Sequence, residues 1–224
     1  MPVFDMKLEQ VDFDRVKKYA DKREVGGLTV SDDQIKNACE IVEKLAQPKG
    51  VLIQCSYEEE SHSVLCDTPF VLKGKEIHDY IVSSNIIFMS AVTISKQIED
   101  KIDELFLAQD FENGLALDCA AAIGTLQVAD DLVDQVNEIS NPKGYHVSWR
   151  LCPGAGDWPE GQQLAIAAAL HADKIGINFT ASGLIEPRKT IVSMMGLQYI
   201  PDSCNSSGGC AGCSMSNFCT SHQN

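Results

Sequence analysis

The sequence predicts an α+β domain, with a mostly antiparallel or mixed twisted sheet and packed helices. Three observations lead there. Hydrophobic residues are 44% and charged residues 22% of 224, the balance of a globular chain long enough to bury a core. Strand-like and helix-like segments alternate irregularly, and several short strands come in a row, unlike a regular parallel α/β sheet. No internal repeat is present. The composition changes at Pro201, which divides a domain over residues 1–200 from a Cys-rich tail over 201–224.

Residues 1–28 are mixed and charged and carry no clear period. Ser31-Asp32-Asp33-Gln34 reads as a capping box, and Ile35, Ala38, Val42 and Leu45 follow at helical spacing. Pro48 and Gly50 end that helix. VLIQCS (51–56) reads as a strand, Glu58-Glu59-Glu60 as a solvated turn, and SVLC (63–66) and FVL (70–72) as short strands. A short helix over 74–84 and a buried strand over 86–94 follow, then an amphipathic helix over 95–109. The clearest helix spans 114–139, where Leu115, Cys119, Ala122, Leu126, Ala129, Val133 and Val136 form one apolar stripe. Gly124 on that helix costs roughly 1 kcal/mol against Ala, which close packing against another helix would justify.

Tyr145, Val147 and Trp149 alternate with His146, Ser148 and Arg150, a strand with one wet face. A Gly/Pro turn comes next, then a helix from about Pro159 to His171 with Asp157 as its candidate cap. Strands over 174–180 and 189–199 complete the domain.

The charge of −14 makes nucleic acid and anionic membrane poor partners. No run of 18 apolar residues and no basic-then-apolar leader is visible, so a cytoplasmic protein is expected. Nine cysteines without an export signal argue against a disulfide framework, and Cys39, Cys55, Cys66 and Cys119 read as core residues. The scattered histidines form no HExxH, there is no Walker or GxGxxG motif, and no Ser-His-Asp grouping stands out.

The segment WRLCPGAGDWPEGQQ carries the most specific signal. It sets a guanidinium, a glycine-rich turn and a helix N-terminus in a row. Backbone N–H groups and a planar cationic fork can receive a carboxylate. Two readings follow: a site for a small carboxylate-bearing molecule, or a tight turn in which Arg150 pairs a surface acid.

Arg150-Leu151-Cys152-Pro153-Gly154 resembles the RxxPG segment of the activation domain of cobalamin-dependent methionine synthase, and RLCPGAGDWPEGQQ resembles the form in its small stand-alone relatives. KIGINFTASGLIEPRKTIVSMMG, VLKGKEIHDYIVSSNIIFMSAVTIS and LALDCAAAIGTLQVADD are similar to further segments of that family, in the same order, so the resemblance covers roughly residues 25–200. It implies reductive reactivation of a partner's corrinoid, with S-adenosylmethionine as methyl donor and cobalamin brought by the partner. By position, Arg150 would hold the methionine carboxylate, Cys152 and Gly154 would contribute backbone contacts, and Pro153 and Ala155 belong to the same cofactor-binding stretch. Ala155 stands where full-length synthases have Tyr, and Ala181 where they have Glu. The family's acidic ligand has no single counterpart; Leu126, Gln127 and Asp130 occupy the matching stretch of helix. The implied partner is a corrinoid-binding protein or the other modules of a methionine synthase.

The tail spaces its thiols as Cys204-x5-Cys210-x2-Cys213-x5-Cys219. Four thiolates can satisfy tetrahedral zinc or a [4Fe-4S] cluster, and Gly208, Gly209 and Gly212 let the backbone wrap an ion. A cluster would supply an electron, zinc a structural knuckle. The alternative to a reactivation protein is therefore a non-catalytic corrinoid-protein binding module with a zinc-stabilised tail.

Overall fold

The computed structural model describes residues 3–23 and 27–200, so the tail that carries Cys204, Cys210, Cys213 and Cys219 lies outside the described residues. In chain order the elements are β1 (Val3–Asp5), α1 (Phe13–Lys22), α2 (Asp32–Leu45), β2 (Lys49–Glu58), β3 (Ser63–Leu65), β4 (Phe70–Val71), α3 (Lys75–Val82), β5 (Ile86–Thr93), α4 (Lys96–Leu107), α5 (Phe111–Ser140), β6 (Tyr145–Leu151), α6 (Gln163–Ala169), β7 (Asn178–Phe179), β8 (Ile185–Glu186) and β9 (Thr190–Tyr199).

The main sheet runs β4-β3-β2-β5-β9-β6, with β1 added to β2, and every described pairing is antiparallel. Strands β7 and β8 form a separate ribbon. Alternation along β9 shows how the two faces are covered. Ile191, Met195 and Leu197 pack on the side of α5, whose apolar stripe they meet through Val133 and Val136. Val192 and Met194 pack on the other side with Trp149, Ile77 and Ile81 of α3, and Ile166 of α6. The result is a sheet between two helical layers, a mixed α+β architecture as the sequence predicts.

The capping box of α2 is present in both directions, with the Ser31 hydroxyl accepting from the Gln34 N–H and the Gln34 side chain accepting from the Ser31 N–H. A Cβ at Gly124 would lie 3.0 Å from Leu8 and 3.3 Å from Val42 of α2, so this glycine serves the close approach of α2 and of the N-terminal segment. Cys39, Cys55 and Cys119 are buried and Cys66 is half-buried. Burial pushes the Cys55 thiol up to about 12, which keeps it protonated and inert.

Four expectations change. Residues 1–28 hold both β1 and α1, the latter capped by the Asp12 carboxylate, which accepts from the Arg15 N–H. The helix expected over 159–171 is a 3-10 turn (Glu160–Gln162) leading into the short α6. Asp157 does not cap it; its carboxylate accepts from the N–H groups of Lys75 (2.7 Å) and Glu76 (3.1 Å), at the start of α3. The strand expected over 174–180 shrinks to β7, because Ala172–Ile175 forms a 3-10 turn that buries Ile175.

Candidate functional site

Arg150 lies near the end of β6, opposite Met195 of β9. The register slips between Val147 and Trp149, so Ser148 is an extra residue in the strand. This bulge decides where Arg150 points. Tyr145 and Val147 pack toward α5, but after Ser148 the alternation inverts, and Trp149 packs toward α3 and α6. Arg150 is thereby turned onto the α5 face. Without the bulge it would lie on the side of the sheet that α3 covers.

The inverted position of Trp149 is held by its own contacts. Its indole N–H donates to the Ser84 hydroxyl at 2.8 Å, and its ring lies over Gly196. A Cβ at Gly196 would fall 2.3 Å from the indole nitrogen.

On the α5 face Arg150 meets Asp130, with Nη2 donating to Oδ1 at 2.6 Å. The Arg150 side chain is 20% exposed and that of Asp130 44%. The other oxygen, Oδ2, lies 3.4 Å from both terminal nitrogens of Arg15 on α1. Arg150 Nη1 is buried and has no hydrogen-bond partner among the described residues. A buried, unpaired guanidinium nitrogen is costly, and nearly all such groups are satisfied in native proteins. The site thus joins an unused cationic donor to an adjacent carboxylate.

This separates the three helical positions left open by the sequence. Leu126 packs against the core. Gln127 ties the N-terminal segment to α5, accepting from the Asp12 N–H and donating to the Gln10 carbonyl, each at 3.0 Å. Asp130 alone brings charge to Arg150. Arg15 was missed by the sequence reading; its one signal was the Asp12-x-x-Arg15 cap that opens α1.

The turn after Arg150 is closed on itself. The Gly154 N–H donates to the Trp158 carbonyl at 2.8 Å and the Ala155 N–H to the Cys152 carbonyl at 3.1 Å. Gly154 has φ +99°, which only glycine adopts readily. Cys152 and Gly154 are exposed, and Pro153 and Ala155 half-buried. Trp158 anchors the turn in the core, its N–H donating to Gln162, whose side chain in turn donates to the Val71 carbonyl. The turn is therefore rigid, and the Gly154 and Ala155 N–H groups are spent internally instead of facing an anion. Carbonyls and surface remain for a ligand to contact.

Among the described residues no group of three His, Cys, Asp or Glu side chains comes together to hold a metal. No helix there is long and apolar enough to cross a membrane. No family model matches the chain, and no curated protein does. A solved structure does match: a crystal structure of the MetH reactivation domain bound to AdoHcy superposes with a TM-score of 0.59 over 90% of this chain and 78% of that one, at 16% identity. The chain has the fold of the methionine synthase reactivation domain. The resemblance read from RLCPG and its companion segments thus extends to the three-dimensional fold, at an identity too low to carry residue roles across.

Proposed function

We propose that this protein binds S-adenosylmethionine and serves reductive reactivation of a corrinoid methyltransferase or methionine synthase, its partner bringing the cobalamin. One observation carries the reading: Arg150 offers a buried guanidinium nitrogen without a partner, directly beside the Asp130 carboxylate. The head of an amino acid is a carboxylate next to an ammonium, and a neighbouring Arg and Asp match both charges. AdoHcy, the ligand of the structural neighbour, is S-adenosylmethionine without its methyl group and has the same head.

The residues act as follows. Arg150 offers its unpaired Nη1 to the incoming carboxylate. Asp130 keeps one oxygen toward Arg15 and presents the other to the ammonium. The bulge at Ser148 and the anchored turn at 152–158 fix the direction of Arg150, so little ordering is needed on binding. Cys152, Pro153, Gly154 and Ala155 line the ligand beyond its head, and Ala155 leaves room for a macrocycle where an aromatic would intrude. Bound there, S-adenosylmethionine would supply the methyl group which, with one electron from a reductant, converts the partner's cob(II)alamin to methylcobalamin and leaves AdoHcy. The tail thiols Cys204, Cys210, Cys213 and Cys219 would hold a [4Fe-4S] cluster, which would supply that electron, or else a structural zinc.

The test is anaerobic. A cob(II)alamin-loaded corrinoid methyltransferase is mixed with reductant, S-adenosylmethionine and this protein, and visible absorbance is followed. Methylcobalamin that forms only when all are present supports the reading. Tight binding to the corrinoid protein with no methylation, together with zinc and no acid-labile sulfide in the tail, favours a non-catalytic binding module instead.

A further inference from the structure

A second polar cluster lies away from Arg150, where the end of β2 and the loop before β3 meet α3. Tyr57 Oη is 3.1 Å from His62 Nδ1, and His62 Nδ1 is 3.1 Å from His78 Nδ1. Tyr57 Oη is also in short contact with His78 Nδ1. Three donor atoms thus form a closed triangle. The rings of His62 and His78 meet edge to face, with centroids 4.1 Å apart.

Protons alone do not explain this triangle well. A neutral imidazole carries one N–H, and a phenol one O–H. A chain from His62 through Tyr57 to His78 uses two of the three short distances. The third then leaves two ring nitrogens facing each other with nothing shared between them. A cation shared by the two imidazoles resolves that pair. Zinc–nitrogen bonds of about 2.0–2.1 Å in a tetrahedron hold two ligand nitrogens about 3.3 Å apart, close to the 3.1 Å between the His62 and His78 Nδ1 atoms, and the phenol, which sits too close to His78 for such an edge, would draw back to become the third ligand.

Three independent features favour a cation there. His62 is held at φ +54°, in the left-handed region, which directs its ring toward α3; such local strain concentrates at functional sites. Its carbonyl is fixed by the Leu72 N–H at 2.8 Å. The cluster opens onto a cavity of about 610 Å³ lined by His62, His78, Glu59 and Asp79, with Lys75 the one cation among the described residues on its wall. The chain as a whole carries a charge of −14.

We propose that Tyr57, His62 and His78 form a binding site for a first-row divalent transition cation, with a coordination position open to the cavity beside α3. Two imidazoles and a phenol suit zinc, copper or nickel rather than magnesium or calcium, which take oxygen ligands in larger number. The site is separate from the thiols of the tail and from the Arg150–Asp130 pair.

The full chain, kept reduced and anaerobic, is titrated with zinc chloride while imidazole ¹⁵N resonances are recorded. His78→Gln suits the helix, and His62→Asn tolerates the left-handed backbone; Tyr57→Phe removes the third donor. The wild type is expected to bind one zinc more than either histidine variant, with the Nδ1 signals of His62 and His78 both shifting. Each histidine variant should lose at least about tenfold in affinity at this site. Equal zinc stoichiometry in wild type and variants, or Nδ1 signals of the wild type that stay put on titration, overturns the proposal and leaves a hydrogen-bonded chain only. The wild-type spectra decide the matter even where a variant fails to fold.

Discussion

Arg150 and Asp130 form a half-used pair: one guanidinium nitrogen is bonded at 2.6 Å and its neighbour is left over. Hydrogen bonds to charged groups are worth about 1.5–3 kcal/mol, so a ligand head that takes up the spare nitrogen gains roughly 10- to 150-fold in affinity. Asp130→Asn removes the charge that would face the ammonium and should weaken S-adenosylmethionine binding by about tenfold or more by the same reasoning. Isothermal calorimetry reads this, and tighter binding would mean that Asp130 competes with the ligand instead of receiving it. Gly196 belongs to the same scale. No side chain fits beneath the Trp149 indole, so Gly196→Ala should destabilise the protein by about 1–3 kcal/mol, measured by urea unfolding, through displacement of that ring. Neither role could be read from composition. RLCPG identified Arg150 as a candidate, but the acidic ligand was open among Leu126, Gln127 and Asp130, of which only Asp130 lies against Arg150.

At the level of elements, capping chemistry and hydrophobic period foretold most of what formed. The capping box marked α2, and the stripe from Leu115 to Val136 marked α5. The bulge in β6 was hidden because Tyr145, Val147 and Trp149 look like one face of an ordinary strand. Only pairing with β9 shows that Trp149 has crossed to the other side. Asp157 was hidden for a similar reason: its position before Pro159 looks like a local cap, yet its carboxylate closes α3, over 80 residues earlier in the chain. Backbone hydrogen bonds from Lys75 and Glu76 hold the Asp157 carboxyl below its ordinary value. Asp157→Ala should therefore loosen the first turn of α3. Hydrogen exchange at the Lys75 and Glu76 amides checks this; unchanged protection would show that packing, not the cap, fixes the helix.

Across the whole molecule, the strand order β4-β3-β2-β5-β9-β6 was not legible, because it depends on which long connections cross the sheet rather than on any local signal. The antiparallel α+β character was legible from the run of short strands. One charge cluster ties distant parts of this topology together. Asp118 of α5 pairs with Arg23 beyond α1 and, at 2.6 Å, with Lys189 before β9. Burial opposes ionisation of Asp118, but Lys189 and Arg23 outweigh it and hold the carboxyl below the usual aspartate range. A depressed native pKa stabilises the fold above the unfolded value, near 3.9, and that contribution is lost as pH falls through the native value. Urea unfolding at about pH 5 and about pH 3 should show a steep loss, and Asp118→Asn should be less stable than wild type at the higher pH and flatten the slope. An unchanged slope would place the acid sensitivity elsewhere.

The reading of the site depends on Arg150 as the receptor of an amino-acid head. Calorimetry of S-adenosylmethionine with wild type and Arg150→Ala, paired with thermal melts to show that both are folded, tests it most directly. The account predicts saturable binding to the wild type that AdoHcy also shows, and a loss of about tenfold or more in the variant. Equal binding by both proteins, or none by the wild type, would contradict it.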